Sequence, residues 1–123
     1  MNEREEGNIS LNLLVLKTAL PVEVRKFYQC LGIPLAEERH GNGPTHYAAL
    51  VGETVFEVYP LPNGATTVDS TTRLGFSVAD LERVLESLRA QGVPVLNPPR
   101  ETPWGRKAVV RDPDGRAVEL STK

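Results

Sequence analysis

Two glutamates, Glu57 and Glu119, each stand at the centre of a short apolar run, Val55-Phe56-Glu57-Val58-Tyr59 and Ala117-Val118-Glu119-Leu120. A carboxylate in such a run is costly to bury without a partner. The two lie 62 residues apart. That nearly matches a second repeat, in which Leu31-Gly32-Ile33-Pro34-Leu35 returns sixty residues later as Gln91-Gly92-Val93-Pro94-Val95. Carboxylates at equivalent places in two copies of one unit point to a single shared polar site, where each is a candidate general base. On one half-exposed strand alone, a solvent-facing Glu would be the simpler account. The repeat favours the shared site. No Ser-His-Asp order, phosphate-binding glycine loop, CxxC pair or dinucleotide glycine motif is present, so none of those chemistries is indicated.

The elements that must position the glutamates follow from periodicity. Residues 9–17 form an almost unbroken apolar run broken by Asn12, which predicts a buried strand. Pro21 suits the first turn of a helix. Leu20, Val24, Phe27 and Leu31 make one helical face, and Gly32 closes the helix. Residues 34–39 are extended, His40-Gly41-Asn42-Gly43-Pro44 is a loop in which His40 is expected to be exposed, and residues 45–50 and 54–59 are strands around a turn near Gly52. After a linker at 61–70 the pattern restarts. A strand at 73–78 leads to a helix capped by Asp80, with Leu81, Val84, Leu85 and Leu88 on one face and Gly92 at its end. Residues 93–96 are extended and Pro98-Pro99 to Pro103 is a loop. Residues 107–111 and 116–120 then pair across Asp112-Pro113-Asp114-Gly115. Each half is βαβββ, giving an α+β chain with a tail at 1–8, module one at 9–60, the linker at 61–70 and module two at 71–121.

Side chains alternate across a strand, so Glu57 shares a face with Val55 and Tyr59. With a two-residue turn at Gly52, His46 falls on that face, opposite or diagonal to Glu57. A three-residue turn would put Tyr47 there instead. His46 is then either a ligand-binding residue or a hydrogen-bonded histidine near a loop. Glu119 shares a face with Ala117 and, across the hairpin, is expected beside Arg106, Ala108 and Val110. Trp104, the single tryptophan, either stacks on a planar ligand or caps the core.

Composition is that of an ordinary globular chain, 40% hydrophobic and 24% charged over 123 residues. Halves of this size have marginal cores alone, so they are expected to pack together or across a dimer. The net charge of −2 and the lack of a basic block argue against nucleic acid and anionic membrane as partners. One cysteine, Cys30, precludes an intrachain disulfide. The polar start has no signal-peptide core, which gives the expectation of a cytoplasmic protein.

The order βαβββ-βαβββ resembles the vicinal oxygen chelate superfamily, which includes glyoxalase I, bleomycin-resistance proteins and extradiol dioxygenases. Phe27-Tyr28 before Leu31-Gly32, Trp104-Gly105, Asp112-Pro113-Asp114-Gly115 and the terminal Val118-Glu119-Leu120 carry the resemblance over residues 9–121. It implies two modules forming a curved mixed sheet around a cavity, and commonly a homodimer. In metal-using members the first strand of each module gives a His or Gln and the last gives a Glu, together holding one Lewis-acidic ion. Those positions match Asn12, Glu57, Arg73 and Glu119 here. Asn is a poor ligand for a transition metal and Arg is none. Arg73 instead offers a cation to Glu119, Glu57 or both. The expectation is a binding protein without metal or other cofactor, sequestering a small organic ligand among Glu57, Glu119 and Arg73, with Asn12, His46, Tyr59, Trp104 and Arg106 as further ligand-binding residues. The alternative is a lyase, isomerase or dioxygenase-like enzyme with Glu57 or Glu119 as base. It could use a divalent Zn, Ni, Mn or Fe ion on His46, Glu57 and Glu119.

Overall fold

A computed structural model describes residues 5–122. The first half runs β1 (Leu13–Thr18), α1 (Pro21–Cys30), β2 (Ala36–Glu38), β3 (His46–Val51) and β4 (Thr54–Pro60). The second repeats it as β5 (Leu74–Val78), α2 (Leu81–Ala90), β6 (Val95–Thr102), β7 (Gly105–Arg111) and β8 (Ala117–Thr122). Each half makes a four-stranded mixed sheet, in the orders β1-β4-β3-β2 and β5-β8-β7-β6. The first and last strand of each half pair in parallel, and the remaining pairs are antiparallel. The fold is α+β in two βαβββ modules.

The repeated glycines end the two helices in the same way. Gly32 has φ +106 and Gly92 φ +76. Just beyond them, the N–H groups of Ile33 and Val93 turn back to the carbonyls of Tyr28 and Leu88 at 3.3 and 3.0 Å. This reversal satisfies carbonyls left open at a helix end and needs a residue free to take positive φ. The starts differ. Asp80 accepts the Arg83 N–H and so caps α2, whereas α1 relies on Pro21 in its first turn and has no side-chain cap.

One core serves both halves. Val24, Phe27 and Tyr28 from α1 join Leu81, Leu85 and Leu88 from α2, with Leu16, Phe56 and Val58 beneath the first helix and Val110, Val118 and Leu120 beneath the second. Phe56 and Phe76 meet edge to face at 6.1 Å between centroids, and Tyr28 contacts both. Each sheet thus buries its helix side and leaves the opposite face open. No helix among the described residues is long and apolar enough to cross a membrane.

Three expectations need correction. The apolar run at 9–17 is not a buried strand from its start, since Ile9 is 90% and Leu11 68% exposed. Asn12 and Leu11 still offer carbonyls to Val55 and Thr54. Before them, the chain outruns the start of β4. Of the tail read at 1–8, residues 1–4 lie outside the described residues.

The second correction is the proline segment. Pro98 and Pro99 lie within β6 rather than in a loop. β6 is an edge strand, and its pairing with β7 is interrupted between Val95 and Asn97 and between Asn97 and Arg100. Edges and bulges are where a strand tolerates residues that cannot donate to the ladder.

The third is the last hairpin, which pairs Arg111 with Ala117, leaving five residues in the loop instead of four. The additional residue is Arg116, drawn inward and only 1% exposed. A slip of one residue moves every side chain to the other face. Glu119 therefore lies opposite Val109, while Ala108 and Val110 point into the core.

Candidate functional site

The open face of the first sheet carries Glu57. The turn at Gly52 holds two residues, because Val51 pairs with Thr54. Ala48 is then directly opposite Glu57, and His46 is diagonal to it. Continuing the register sets His46 across from Tyr59, and their rings stack 4.0 Å apart at 9°. On the other side, His46 pairs with Glu38. The imidazole is 1% exposed, and its Nε2 lies 3.4 Å from Glu38 and 3.7 Å from Glu57. Its Nδ1 faces the Pro44 carbonyl at 3.2 Å. Burial raises the Tyr59 phenol above its ordinary pKa, with the charges of Glu57 and Glu38 adding to the effect. Tyr47 points the other way, buried beneath the Arg25 guanidinium.

The open face of the second sheet carries Glu119 within an ion cluster. Lys107 Nζ lies 2.6 Å from one carboxylate oxygen and the Arg73 guanidinium 3.3 Å from the other. The hydrogen bond from Lys107 is the largest influence on this carboxyl. With Arg73 it holds the group below its ordinary pKa, against the opposing effect of burial. Gly75 is the residue paired with Glu119 on β5; its missing side chain leaves the carboxylate open on that side. Trp104 sits in the tight turn between β6 and β7 and is 62% exposed, so it does not cap the core. It lines a hollow of about 230 Å³ with Arg73, Arg100, Lys107, Val109 and Glu119. Every residue lining this hollow comes from the second module. Three cations against one carboxylate make it electropositive.

The structure thus brings His46, Tyr59 and Glu57 together in one module, and Arg73, Trp104 and Glu119 in the other. Arg106 is on the reverse side of its sheet, bonded to Glu82 of α2 at 2.9 Å and to Glu101 at 3.0 Å. The hairpin slip accounts for its removal from the face of Glu119. Asn12 lies just before β1 and out of phase with Leu13 and Val15, the residues that share the face of Glu57. Val15 pairs with Glu57 as Gly75 pairs with Glu119, so the first-module counterpart of Arg73 is Leu13, not Asn12. Two of the four positions that would hold a shared metal are therefore a leucine and an arginine, and Glu119 already has two cations on it. These residues do not fit a metal at that centre.

Sequence reasoning missed Glu38 and Lys107. Glu38 sits in a three-residue strand with no apolar alternation to mark its face. Lys107 was hidden by the hairpin register. It also missed a buried clasp between modules. Arg116 pairs with Asp112 at 3.1 Å and Asp114 at 3.0 Å and donates to the Lys17 carbonyl of β1. The Tyr28 hydroxyl donates to Asp112 at 2.7 Å.

Comparison with known proteins agrees with this architecture. Among solved structures, an antibiotic binding protein, TnmS3 from Streptomyces sp. CB03234, superposes with a TM-score of 0.69 at 23% identity, covering 95% of this chain and 98% of its own. Hypothetical protein SA1046 from S. aureus gives 0.69 at 16% identity over 94% and 98%. Oxidase ChaP-H2 gives 0.66 at 16% over 95% of each chain. At these identities the likeness is one of fold, and that fold houses both a binder and an oxidase. No curated protein sequence matches the chain. The Glyoxalase/Bleomycin resistance protein/Dioxygenase superfamily model matches residues 18–120, from the end of β1 through most of β8, and the chain belongs to that superfamily.

Proposed function

We propose that this chain is a small-molecule-binding member of its superfamily that holds a small organic ligand without a metal at the family's shared chelating centre. The supporting observation is the cluster on Glu119. A carboxylate engaged by Lys107 and Arg73 on separate oxygens is a weak base and a poor metal ligand, but a firm charged anchor. The exposed Trp104 ring beside it offers a stacking surface. The surplus of cations selects a planar ligand bearing an anionic group. The resemblance of fold to an antibiotic binding protein is in keeping with this role.

Each open face alone is a half-cup. Leu13 and Leu50 on the first and Trp104 on the second are large apolar side chains at least half exposed. We propose a cytoplasmic homodimer in which these faces are covered and the cavity among Glu57, Glu119 and Arg73 is completed. An enzymatic reading has one observation in its favour: Glu57 is 15% exposed and, among the described residues, has no Lys or Arg partner of the kind that flanks Glu119. If the chain is catalytic, Glu57 rather than Glu119 is the base.

Titrating the protein with planar aromatic carboxylates while following Trp104 fluorescence tests the binding reading. Saturable quenching is expected, weakened by roughly tenfold or more in Arg73→Met, about what one lost charged hydrogen bond gives. No response across the panel, or quenching indifferent to Arg73, would count against it.

A further inference from the structure

We propose that Glu38, His40 and His46 form a divalent-cation site of zinc type at the rim of the first sheet, sharing none of its three ligands with the family's chelating centre. Three observations carry the proposal. First, one ligand atom from each residue lies within 4.8 Å of the others. Two of the three edges are already short, with His40 Nε2 3.2 Å and His46 Nε2 3.4 Å from the same Glu38 oxygen. Donors on a tetrahedral zinc at about 2.0–2.1 Å stand roughly 3.3 Å apart, so both edges have the span that a bound ion requires.

Second, His46 is prepared as a ligand. A carbonyl only accepts, so the contact with Pro44 puts the proton on Nδ1. The lone pair of the neutral ring is then on Nε2, the atom facing the carboxylates. A backbone carbonyl fixing the far nitrogen is the usual support of a metal-bound histidine. Third, Nε2 is buried and has no hydrogen-bond partner among the described residues. A lone pair aimed at carboxylate oxygens is unfavourable unless a proton or a metal cation lies between them, and the spacing of the three donors suits a metal. Stacking on Tyr59 and pairing with β2 hold the ring there.

Two histidines and one glutamate are a zinc donor set that leaves a fourth position open. Softer and harder ions are less suited, since the set has no thiolate and only one carboxylate. His40 is carried by the loop between β2 and β3, which is tied by the Gly43 N–H to the His40 carbonyl and by Arg39 to the Gly43 carbonyl. A bound ion would fasten this loop to the sheet beside Glu57.

The test uses the full chain, freed of any affinity tag and stripped with a chelator, and titrated with Zn²⁺ by calorimetry and with Co²⁺ by visible absorption. One zinc per chain is expected, with the intense cobalt bands of a four-coordinate site. His40→Asn and Glu38→Gln, both at exposed positions where folding is undisturbed, should each weaken binding by at least about tenfold, the lower end of what disturbing a metal site costs. Cys30→Ser, on the other side of the module, should leave it within about threefold, ordinary surface-level variation. Absence of saturable zinc binding would overturn the proposal. So would binding that survives both His40→Asn and Glu38→Gln, or that is lost with Cys30→Ser. None of these outcomes depends on an organic ligand or on Trp104, so the cavity reading stands or falls separately.

Discussion

Glu57 and Glu119 occupy equivalent places in the repeat, yet they have different chemistry. Glu119 has Lys107 and Arg73 on its two oxygens. Among the described residues, the ion-pair partner of Glu57 is a histidine. Because Glu119 is depressed below the ordinary 4.5, its folded form binds protons less readily than its unfolded form. Its contribution to stability is present above the unfolded value and disappears as pH falls through the folded one. Carbon-detected NMR should therefore place Glu119 below 4.5, and Lys107→Met should move it upward. A Glu119 that titrates at or above the ordinary value in the unaltered protein would remove the basis for the anchor. Glu119 was legible from the repeat, and Arg73 from the family resemblance, which offered it as a cation to Glu119, Glu57 or both; it sits on Glu119. Lys107 was not, because its face depends on a loop length that the sequence disguised.

At the level of elements, the repeat was legible wherever glycine marks a reversal. Gly32 and Gly92 end both helices where the sequence places them. A Cβ added at either would meet nothing within 4 Å, so substitution there is a test of backbone strain alone. Gly32→Ala and Gly92→Ala should each cost about 1 kcal/mol or more. Gly32 should cost more, since its φ of +106 is further from the left-handed region open to other residues than the +76 of Gly92. Urea unfolding of the pair checks the order, and equal or reversed losses would contradict it. The last hairpin was the illegible element. Asp112-Pro113-Asp114-Gly115 has the composition of a complete turn, and an arginine after it reads as the first outward residue of a strand. What draws Arg116 inward is a set of acceptors on Asp112, Asp114 and Lys17, the last of which is 99 residues away. Local pattern cannot announce such a partner. The same holds for Pro98 and Pro99, whose place in β6 depends on that strand being at an edge.

Over the whole molecule, the two halves are joined by an apolar core and by the buried clasp. Burial alone would lower the Arg116 guanidinium, but the hydrogen bond and charge of Asp112, with Asp114 beside it, outweigh this and hold it firmly protonated. Burial likewise pushes the Tyr28 hydroxyl far up, with Asp112 adding to the effect, so it stays a donor. Arg116→Met strands two buried carboxylates and should cost about 3–5 kcal/mol. Tyr28→Phe, which removes one hydrogen bond and keeps the ring, should cost about 1–3 kcal/mol. Denaturant melts of both variants give the comparison. A milder effect from Arg116→Met than from Tyr28→Phe would show that the clasp is not organised around the guanidinium.

The clasp also bears on the order of events as the chain forms. Its contacts join residues 84 and 99 positions apart, and closing loops of that length early is entropically unfavourable. Each hairpin and helix can assemble from near neighbours, whereas Tyr28, Lys17 and Arg116 meet only after both halves are in place. Contacts that form after the rate-limiting barrier govern how fast a protein opens, not how fast it folds. Stopped-flow kinetics of Tyr28→Phe should then show a faster unfolding limb and an almost unchanged refolding limb. With that outcome, the clasp is a latch on the native state, setting how long the assembled molecule persists.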